Sequence, residues 1–449
     1  MSPAPLDELQ WPPGLAGRLA WYIFNISQRP VREVSIAAAL ALLAGVCGRA
    51  FTVNGTGLNQ YWIVVARSAV GKEAIGDGIT ALIDLVEDVH GAKNLVAQVD
   101  FASGQALHKE ILMRPSFVQV AGEFGRKLKL MAKDQDGPYQ TLRTVMTKAY
   151  SKSGPGQWME GMSYSNNENN LPAAKGHAYS FIGETTPGSF SQGLSSGMME
   201  DGFLSRFNIM PYEGERPAAN IDTTAELEPD ELSGWRDLVV RVMPYVQPMS
   251  APARIDVSMN RDAEERLCKR GRFDLECDEE IRRLGDDESQ RQMWNRAHLK
   301  ALRIAAVLAA ADNPVLPMMT LAHAVWAITT VKRDIAAMKK LMGAGEVGGD
   351  DHARIELIKA AIHDYFYKPV PISYRIPEGM RDAGIITYSY IHLRVIKKAA
   401  FSTNEPKGSI SLLEAALRSL TDQGLLMLTD KNKTLESYAF SGKCYRKVG

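Results

Sequence analysis

A glycine–lysine pair follows a short apolar run early in the chain. The run covers residues 61–65 and is rich in β-branched side chains, and Gly71-Lys72 comes shortly before a stretch with helical character. Backbone N–H groups at a helix N-terminus favour an anion, and a lysine placed there can reach terminal phosphates. The sequence therefore predicts a phosphate-binding turn made by Ser68, Ala69, Val70, Gly71, Lys72 and Glu73.

Three positions depart from the usual pattern for such a site. Ala66 replaces the first glycine of G-x-x-x-x-G-K-[ST], and Glu73 replaces the hydroxyl residue that binds Mg²⁺. A later apolar run ends in Gly122-Glu123, where Asp-Glu is usual, the aspartate holding the metal and the glutamate orienting the attacking water. We predict that Glu123 orients water and that Glu73 supplies the metal-binding oxygen that position 122 lacks. The alternative is that Glu73 is an ordinary acid in the first turn of a helix.

Two further segments place polar side chains close to the ends of apolar runs. Glu184-Thr185 ends the fourth run, and either side chain could contact a terminal phosphate or the water, although Thr followed by Pro also suits a helix N-cap. Arg206 lies between apolar residues just before the fifth run, which is a costly position for a cation without an anionic partner. We predict an arginine finger that acts on a neighbouring subunit's nucleotide. The alternative is an ion pair with Asp201 or Glu123.

Alternation of apolar runs and helical stretches predicts the elements that hold these residues. Strands are expected at 61–65, 95–99, 117–121, 179–182 and 207–210. Helices are expected between them, one at about 73–89 and one capped by Ser103. Uninterrupted apolar runs suit strands that are buried on both faces of a parallel sheet. The predicted fold class is α/β, with a P-loop NTPase core of the AAA+/RecA-like kind.

Shifts in composition divide the chain into segments. These are an N-terminal helical segment 1–50, an ATPase core 51–215, a connection and helical lid 216–342, a linker 343–351 and a last unit 352–449. Turn-forming residues at 154–176 predict a hairpin that projects from the core. The last unit is predicted to contain three helices and then two short strands at 425–428 and 437–440, which is the order of a winged helix.

Composition limits the classes of function. The 449 residues include 52 basic and 52 acidic side chains, so a strongly basic nucleic-acid coat protein is excluded. The four cysteines show no CxxC spacing, which favours free thiols over disulfides or zinc. The longest apolar run, at 36–47, is shorter than the ~20 residues that a membrane span needs, and no secretory leader is visible. We expect a soluble, cytoplasmic protein.

Contacts with nucleic acid must then come from local basic clusters. In the predicted core these are Arg126, Lys127, Lys129, Lys148, Lys152 and Lys175, and in the last unit they are Lys397 and Lys398. The first set is predicted to line a channel and follow a phosphate backbone, and the second to contact duplex or forked DNA. The alternatives are a solvated charged surface for the first set and a protein partner for the last unit.

Several motifs together resemble a known group of proteins. GLNQYWIVVARSAVGKE, FVQVAGEFG, FIGETTP and DGFLSRF resemble the uncharacterised helicase-like P-loop ATPases of phages and prophages, which often lie beside primases. The resemblance covers residues 11–340, and the order of the motifs is also similar to that of AAA+ and superfamily 6 ATPases. It implies a finger at Arg206, a DNA-contacting hairpin at 154–176, and a nucleotide-sensing arginine at Arg296 or Arg303.

The residues and the resemblance together predict an ATP- and Mg²⁺-dependent DNA helicase or translocase. We expect a ring, most simply a hexamer, that serves phage or mobile-element replication with a separate primase or initiator and without a membrane. Single-stranded or forked DNA is the expected substrate. Two alternatives stay open: a replication initiator or helicase loader with weak or no hydrolysis, and an inert structural relic of an ATPase.

Overall fold

The chain forms two compact units, which divide between residues 340 and 341. The structure is a computed structural model that describes residues 9–133, 137–194, 198–199, 201–247, 252–341, 350–402, 408–422 and 424–448. The first three predicted segments belong to a single unit. Residues 343–349 of the predicted linker lie outside the described residues, and Asp350 and Asp351 belong to a helix of the second unit.

The first unit is a mixed α/β structure. Its helices are α1 Gly14–Ile26, α2 Arg32–Cys47, α3 Ala74–Asp84, α4 Gly104–Met113, α5 Phe124–Lys133, α6 Pro138–Ser151, α7 Pro187–Gly193, α8 Pro229–Val246, α9 Arg261–Leu267, α10 Arg272–Arg283, α11 Glu288–Asp312 and α12 Leu321–Leu341. Its strands are β1 Phe51–Val53, β2 Thr56–Gly57, β3 Tyr61–Ala66, β4 Val96–Ala97, β5 Ser116–Ala121, β6 Trp158–Met159, β7 Ala174–Lys175, β8 Ala178–Thr185, β9 Phe207–Tyr212, β10 Ile255–Asp256, β11 Ser258–Met259 and β12 Met318–Met319.

A five-stranded parallel sheet lies at the centre of this unit. Its strand order is β4-β5-β8-β3-β9, and every neighbouring pair is parallel. The expected α/β class and parallel sheet are confirmed. The second strand is shorter than expected because residues 92–95 form a turn of 3₁₀ helix before it. The four other strands all include the expected residues, and Ser103 caps α4 as expected by accepting from Ala106 N.

Helices cover both faces of the sheet, which explains the uninterrupted apolar character of the strands. The Ala-rich α2 packs on one face, where Ser116 Oγ donates to Gly45 O at 3.0 Å. The small side chains of α2 allow its backbone to come this close to the strands. On the opposite face, Phe124 of α5 packs against Phe181, and Tyr61 donates to Met146 O of α6 at 2.7 Å.

The segment 154–176 contains the expected hairpin. Strands β6 and β7 pair antiparallel, with Trp158 opposite Lys175, and a bridge joins Met162 to Leu171. The asparagine-rich tip holds a turn of 3₁₀ helix at Asn167–Asn169, with Asn166 accepting from Glu168 N. The hairpin leads into the first residue of β8, so it lies at the amino end of the parallel sheet.

The second unit consists of helices and a small antiparallel sheet. Its elements are α13 Asp350–Tyr367, β13 Ile385–Thr387, α14 Tyr388–Val395, α15 Gly408–Asp422, β14 Leu426–Leu428, α16 Lys431–Tyr438 and β15 Cys444–Lys447, with strand order β13-β15-β14. The strand expected at 437–440 is wrong. Asp430 accepts from the N–H groups of Asn432 and Lys433 and so begins a helix there, and the last strand lies further along the chain.

Within the described residues, no helix is both long enough and apolar enough to cross a membrane.

Candidate functional site

The turn between β3 and α3 has the backbone of a tight loop. Ala69 and Gly71 have positive φ angles of 61° and 103°. A Cβ at Gly71 would lie 2.2 Å from Arg29 O, so glycine is required where this turn packs against the connection between α1 and α2. Ala74 provides the first N–H of α3 that donates to a backbone carbonyl of this turn, that of Gly71, at 3.3 Å. The preceding N–H groups have no partner within the helix, as at every helix N-terminus.

Lys72 folds back over this turn. Its Nζ donates to Ala66 O at 3.1 Å and to Arg67 O at 3.2 Å, the last residue of β3 and the first of the turn. Both acceptors are backbone carbonyls, so the ammonium has no carboxylate partner among the described residues. An anion that entered the turn would give the ammonium an ion pair in place of these two contacts with neutral carbonyls.

Glu123, Glu184 and Thr185 lie at the ends of neighbouring strands. Glu123 follows β5 with a φ of 38°, an uncommon backbone conformation for a residue with a side chain. Glu184 and Thr185 end β8, which lies between β5 and β3. Burial raises the pKa of the Glu184 carboxyl above its usual value, Lys72 lowers it, and Glu73 and Glu123 raise it further. The four charged groups are therefore close enough to influence one another.

These residues line two adjoining clefts at the carboxyl edge of the sheet. One cleft has a volume of about 330 Å³ and is bounded by Ser68, Ala69, Lys72, Glu73, Glu123, Gly125, Arg126, Glu184, Thr185, Thr186 and Ser189. The other measures about 480 Å³ and includes Gly122, Asp77 and Asp100. Lys72, Glu73 and Glu184 border both. Clefts of this size at the carboxyl ends of parallel strands are usual positions for ligands. Thr186, rather than Thr185, is the N-cap of α7.

The donor set at this edge suits a hard divalent cation that shares its coordination with a ligand. Carboxylate oxygens are the donors that Mg²⁺ prefers, and Glu184 Oε2 is buried without a hydrogen-bond partner. Glu73 is exposed at the start of α3 and makes no capping hydrogen bond. Among the described residues, no group of three or more acidic, histidine or cysteine side chains is arranged to hold a metal by itself. A bound Mg²⁺ therefore needs oxygen atoms from a phosphate as well.

Arg206 does not lie where a finger for a neighbouring subunit is expected. It precedes β9 at the amino end of the sheet, is 6% exposed, and contacts Gly202 O through Nη1. Burial and, to a smaller extent, the charge of Arg296 lower its pKa to about 10. The predicted position at a subunit surface is wrong for this conformation, because the side chain is enclosed by its own unit. The alternative pairing with Asp201 is wrong as well, since Asp201 pairs with Arg143.

Arg303 is also far from the clefts. It is 1% exposed and donates to Asn59 O at 3.0 Å, to Tyr150 O at 3.2 Å and to two hydroxyl groups, with its guanidinium 4.4 Å from the centre of the Tyr150 ring. The prediction that it binds nucleotide is wrong, because the side chain is enclosed by its own unit and borders neither cleft. Arg296 is half-buried on α11 and borders neither cleft.

Two further arginines, at the amino end of the sheet, were not among the predicted residues. Arg49 donates to Gly176 O at 2.7 Å, and to Tyr245 O and Gln247 O at 2.6 and 2.7 Å at the end of α8. Arg254 donates to Ser153 O and Gly176 O at 2.6 and 3.0 Å. Cations at helix C-termini satisfy terminal carbonyls and the helix dipole. Nothing in the local sequence marks these arginines, because their acceptors are distant in the chain.

The predicted DNA-binding residues of the first unit do not form a single surface. Arg126 is exposed beside the cleft, and Lys129 is half-buried on the same helix. Lys148, Lys152 and Lys175 are near the hairpin at the other end of the sheet. The first unit therefore carries these residues in two separate groups, and the channel lining stays a prediction. β8, which separates the two groups, is eight residues long, or ~26 Å at about 3.3 Å per residue.

Lys127 and Lys148 are engaged by acids of the same chain. Lys127 pairs with Asp100 and donates to Phe101 O at 3.0 Å, and burial lowers its pKa to about 8. Lys127 is therefore engaged by its own chain, and its contact with DNA stays a prediction. Lys148 lies 3.2 Å from Glu160, but both side chains are about half exposed, so this pair is weak. In the second unit, Lys397 and Lys398 are exposed just after α14.

Comparison with known proteins adds no assignment. No protein-family model matches the chain, and no curated protein matches it. Among solved structures, the chain is similar to one described as Drosophila ORC bound to DNA, at 11% sequence identity over 100% of this chain and 93% of that one. The TM-score is 0.22, which carries no argument about fold or function.

Proposed function

We propose that the carboxyl-edge cleft binds ATP with Mg²⁺ and that the first unit is a P-loop ATPase. The observation that carries this proposal is the position of Lys72. It lies on a tight strand-to-helix turn, without a carboxylate partner, and borders the same cleft as Glu123 and Thr185. A parallel sheet with helices on both faces and a cleft at its carboxyl edge is compatible with such a core.

Each residue of the cleft has a role in this proposal. The N–H groups of residues 68–73 and the Lys72 ammonium bind the phosphates. Glu123 orients the attacking water, and Thr185, buried at the end of β8, donates to the terminal phosphate or the water. Glu73 supplies a carboxylate oxygen to the metal at the position where a hydroxyl is usual. When bound, Mg²⁺ neutralises charge on the phosphates.

We further propose that ATP turnover drives movement along single-stranded or forked DNA, as a ring-forming helicase or translocase of phage or mobile-element replication. The exposed hairpin supports a DNA contact: Trp158 is 53% exposed and lies cross-strand from the exposed Lys175. An aromatic ring beside a cation can stack on a base while the cation contacts a phosphate. The expected partners are further copies of the chain and a separate primase or initiator in the cytoplasm.

The second unit fits a winged helix in this proposal. A strand precedes α14, and the last two strands form a ribbon with it in the order β13-β15-β14. Lys397 and Lys398 then follow α14, where phosphate contacts would fix the unit on duplex DNA. The helix α16 lies in the connection between β14 and β15.

One observation favours a second candidate, a replication initiator or helicase loader with little hydrolysis. Arg206 is buried within its own unit, so it does not present a cation to a neighbour's nucleotide. Without such a finger, a P-loop ATPase hydrolyses its nucleotide slowly. The departures at Ala66, Glu73 and Gly122 act in the same direction. This candidate keeps nucleotide and DNA binding and loses the motor.

Replacement of Lys72 tests the proposed cleft. Lys72→Ala should lower the affinity for a fluorescent ATP analogue by ~10- to 100-fold, because a hydrogen bond to a charged group contributes about 1.5–3 kcal/mol. Thermal unfolding of the nucleotide-free protein should change little, since Lys72 bonds only two carbonyls. The matched control is Lys109→Ala, an exposed lysine on α4. A wild-type chain that binds no nucleotide contradicts the proposal.

Hydrolysis separates the two candidates. A motor should show DNA-stimulated ATP turnover that Lys72→Ala abolishes. An initiator or loader should bind ATP and DNA with turnover that DNA does not stimulate, and Lys72→Ala should leave its DNA affinity intact.

A further inference from the structure

Gly122, just after β5, carries no side chain, but the neighbouring strand β8 carries the carboxylate of Glu184 at the paired position. The pairing of β5 with β8 sets Ala121 opposite Gly183, so the next pair in the same register is Gly122 and Glu184. Paired residues of neighbouring strands point to the same face of a sheet, and the strands lie about 4.8 Å apart. Gly122 and Glu184 accordingly border the same cleft, together with Lys72 and Glu73.

We propose that Glu184 supplies, from the neighbouring strand, the metal-binding carboxylate that a strand-end aspartate at position 122 would otherwise provide. This inference rests on the proposed function of the cleft. It adds a second protein ligand for the divalent cation, on the sheet, opposite Glu73 on the helix. Glu123 remains free to orient water.

The surroundings of Glu184 support this assignment. Its Oε2 is buried and accepts no hydrogen bond from any described residue. A buried carboxylate oxygen without a donor is costly, and a bound cation would remove this cost. Thr185, the next residue, points to the opposite face of the sheet, since side chains alternate along a strand. Glu184 and Thr185 therefore serve different sides of the site.

The charge of the cleft gives an independent reason for a cation. Lys72 and Arg126 are its two cationic lining residues, and they are opposed by Glu73, Glu123 and Glu184. Triphosphate brings several more negative charges to the same volume, and like charges this close repel strongly at low dielectric. A divalent cation held between the carboxylates and the phosphates offsets this repulsion.

The position opposite Glu184 can accept a test residue. A Cβ built on Gly122 meets no atom within 4 Å, and its φ is not in the left-handed region. Gly122→Asp can therefore be introduced without a steric clash. It would return the carboxylate to the strand end from which it is missing.

The experiment compares four proteins: the wild type, Glu184→Gln, Gly122→Asp combined with Glu184→Gln, and the control Glu168→Gln at the hairpin tip. Affinity for a fluorescent ATP analogue is measured with and without Mg²⁺, and Mn²⁺ bound in the presence of the analogue is counted by electron paramagnetic resonance. Glu184→Gln should reduce the Mg²⁺-dependent gain in affinity at least tenfold while the metal-free affinity is unchanged or higher. The double variant should restore both the gain and the bound Mn²⁺.

The outcomes separate this inference from the proposed function. The role of Glu184 alone is overturned if the wild type binds nucleotide and Glu184→Gln leaves the Mg²⁺ dependence of that binding unchanged. Failure of Gly122→Asp to restore the dependence also overturns it, because the position would then not be equivalent. Absence of nucleotide binding by the wild type, with or without cation, overturns the proposed function itself.

Discussion

The two ends of the parallel sheet use their charged residues in opposite ways. At the carboxyl edge, Lys72, Glu73 and Glu184 border open clefts, and Glu184 keeps an unpaired buried oxygen. At the amino edge, Arg206 and Arg303 are buried and border neither cleft; the Nε of each has no partner among the described residues, but their other donors contact carbonyls and hydroxyls of their own unit. The first arrangement leaves charge available for a ligand, and the second uses charge to hold chain segments together.

The difference shows why an arginine next to a strand is not by itself evidence of a nucleotide site. Tyr150 O lies in the last turn of α6, and Tyr245 O in the last turn of α8. Carbonyls at a helix C-terminus carry partial negative charge and lack partners within the helix. Arg303 binds the first of these carbonyls and Arg49 the second, so at these two arginines helix ends replace the carboxylates that a buried cation usually needs.

The largest expected effect comes from Arg303. Arg303→Ala leaves two carbonyls and two hydroxyls without their donor, so it should lower the free energy of unfolding by roughly 3–5 kcal/mol. Denaturant unfolding of the full chain measures it. The control is Arg291→Ala on the same helix, where the side chain is 39% exposed and an effect within about 0.5 kcal/mol is expected. If Arg303→Ala kept its stability and lost nucleotide affinity, the distinction between the two edges would be wrong.

A smaller effect is expected from His177, which lies at the amino edge just before β8. Burial lowers its pKa to about 4, against about 6.5 in the unfolded chain. Between pH 4 and pH 6.5 the imidazole of His177 is mostly protonated in the unfolded chain and mostly neutral in the folded chain. Protonation of the unfolded chain therefore lowers the free energy of unfolding as the pH falls from 6.5 towards 4, and has little effect above pH 6.5. The loss at pH 5 is on the order of 2 kcal/mol.

The measurement is the free energy of unfolding at pH 7 and pH 5 for the wild type and His177→Gln. The variant should show a weaker pH dependence by about that amount. His90→Gln, at an exposed position, serves as the control and should follow the wild type. If the free energy of unfolding changed equally between pH 7 and pH 5 for the wild type and His177→Gln, the folded chain would accommodate a protonated His177.

The smallest effect is expected at the hairpin. If Lys175 contacts a phosphate, Lys175→Ala should lower the magnitude of the slope of log affinity against log salt by about 1 for single-stranded DNA. The comparison variant is Lys127→Ala, because Lys127 is held by Asp100 and should not change the slope. A slope that responds to Lys127 and not to Lys175 would move the DNA contact from the amino edge to the carboxyl edge.

The sequence was informative where the decisive interactions are local. The run 61–65 predicted a buried strand because uninterrupted β-branched and aromatic residues suit a parallel sheet, and β3 includes it. The cap at Ser103 also depends on neighbouring residues alone. The strand expected at 437–440 failed because Asp430 provides a helix N-cap, a local signal that was not recognised.

The sequence by itself determined the α/β class, the five strands of the central sheet in chain order, and the position of a glycine–lysine turn between a strand and a helix. Only the tertiary structure decided that Glu184 lies beside Gly122, because strand order pairs residues that are about 60 positions apart in the chain. It also decided that Arg206 and Arg303 are buried at the opposite edge, because their acceptors come from distant segments. Local patterns encode backbone conformation, whereas the partners of a buried charge depend on how the elements pack.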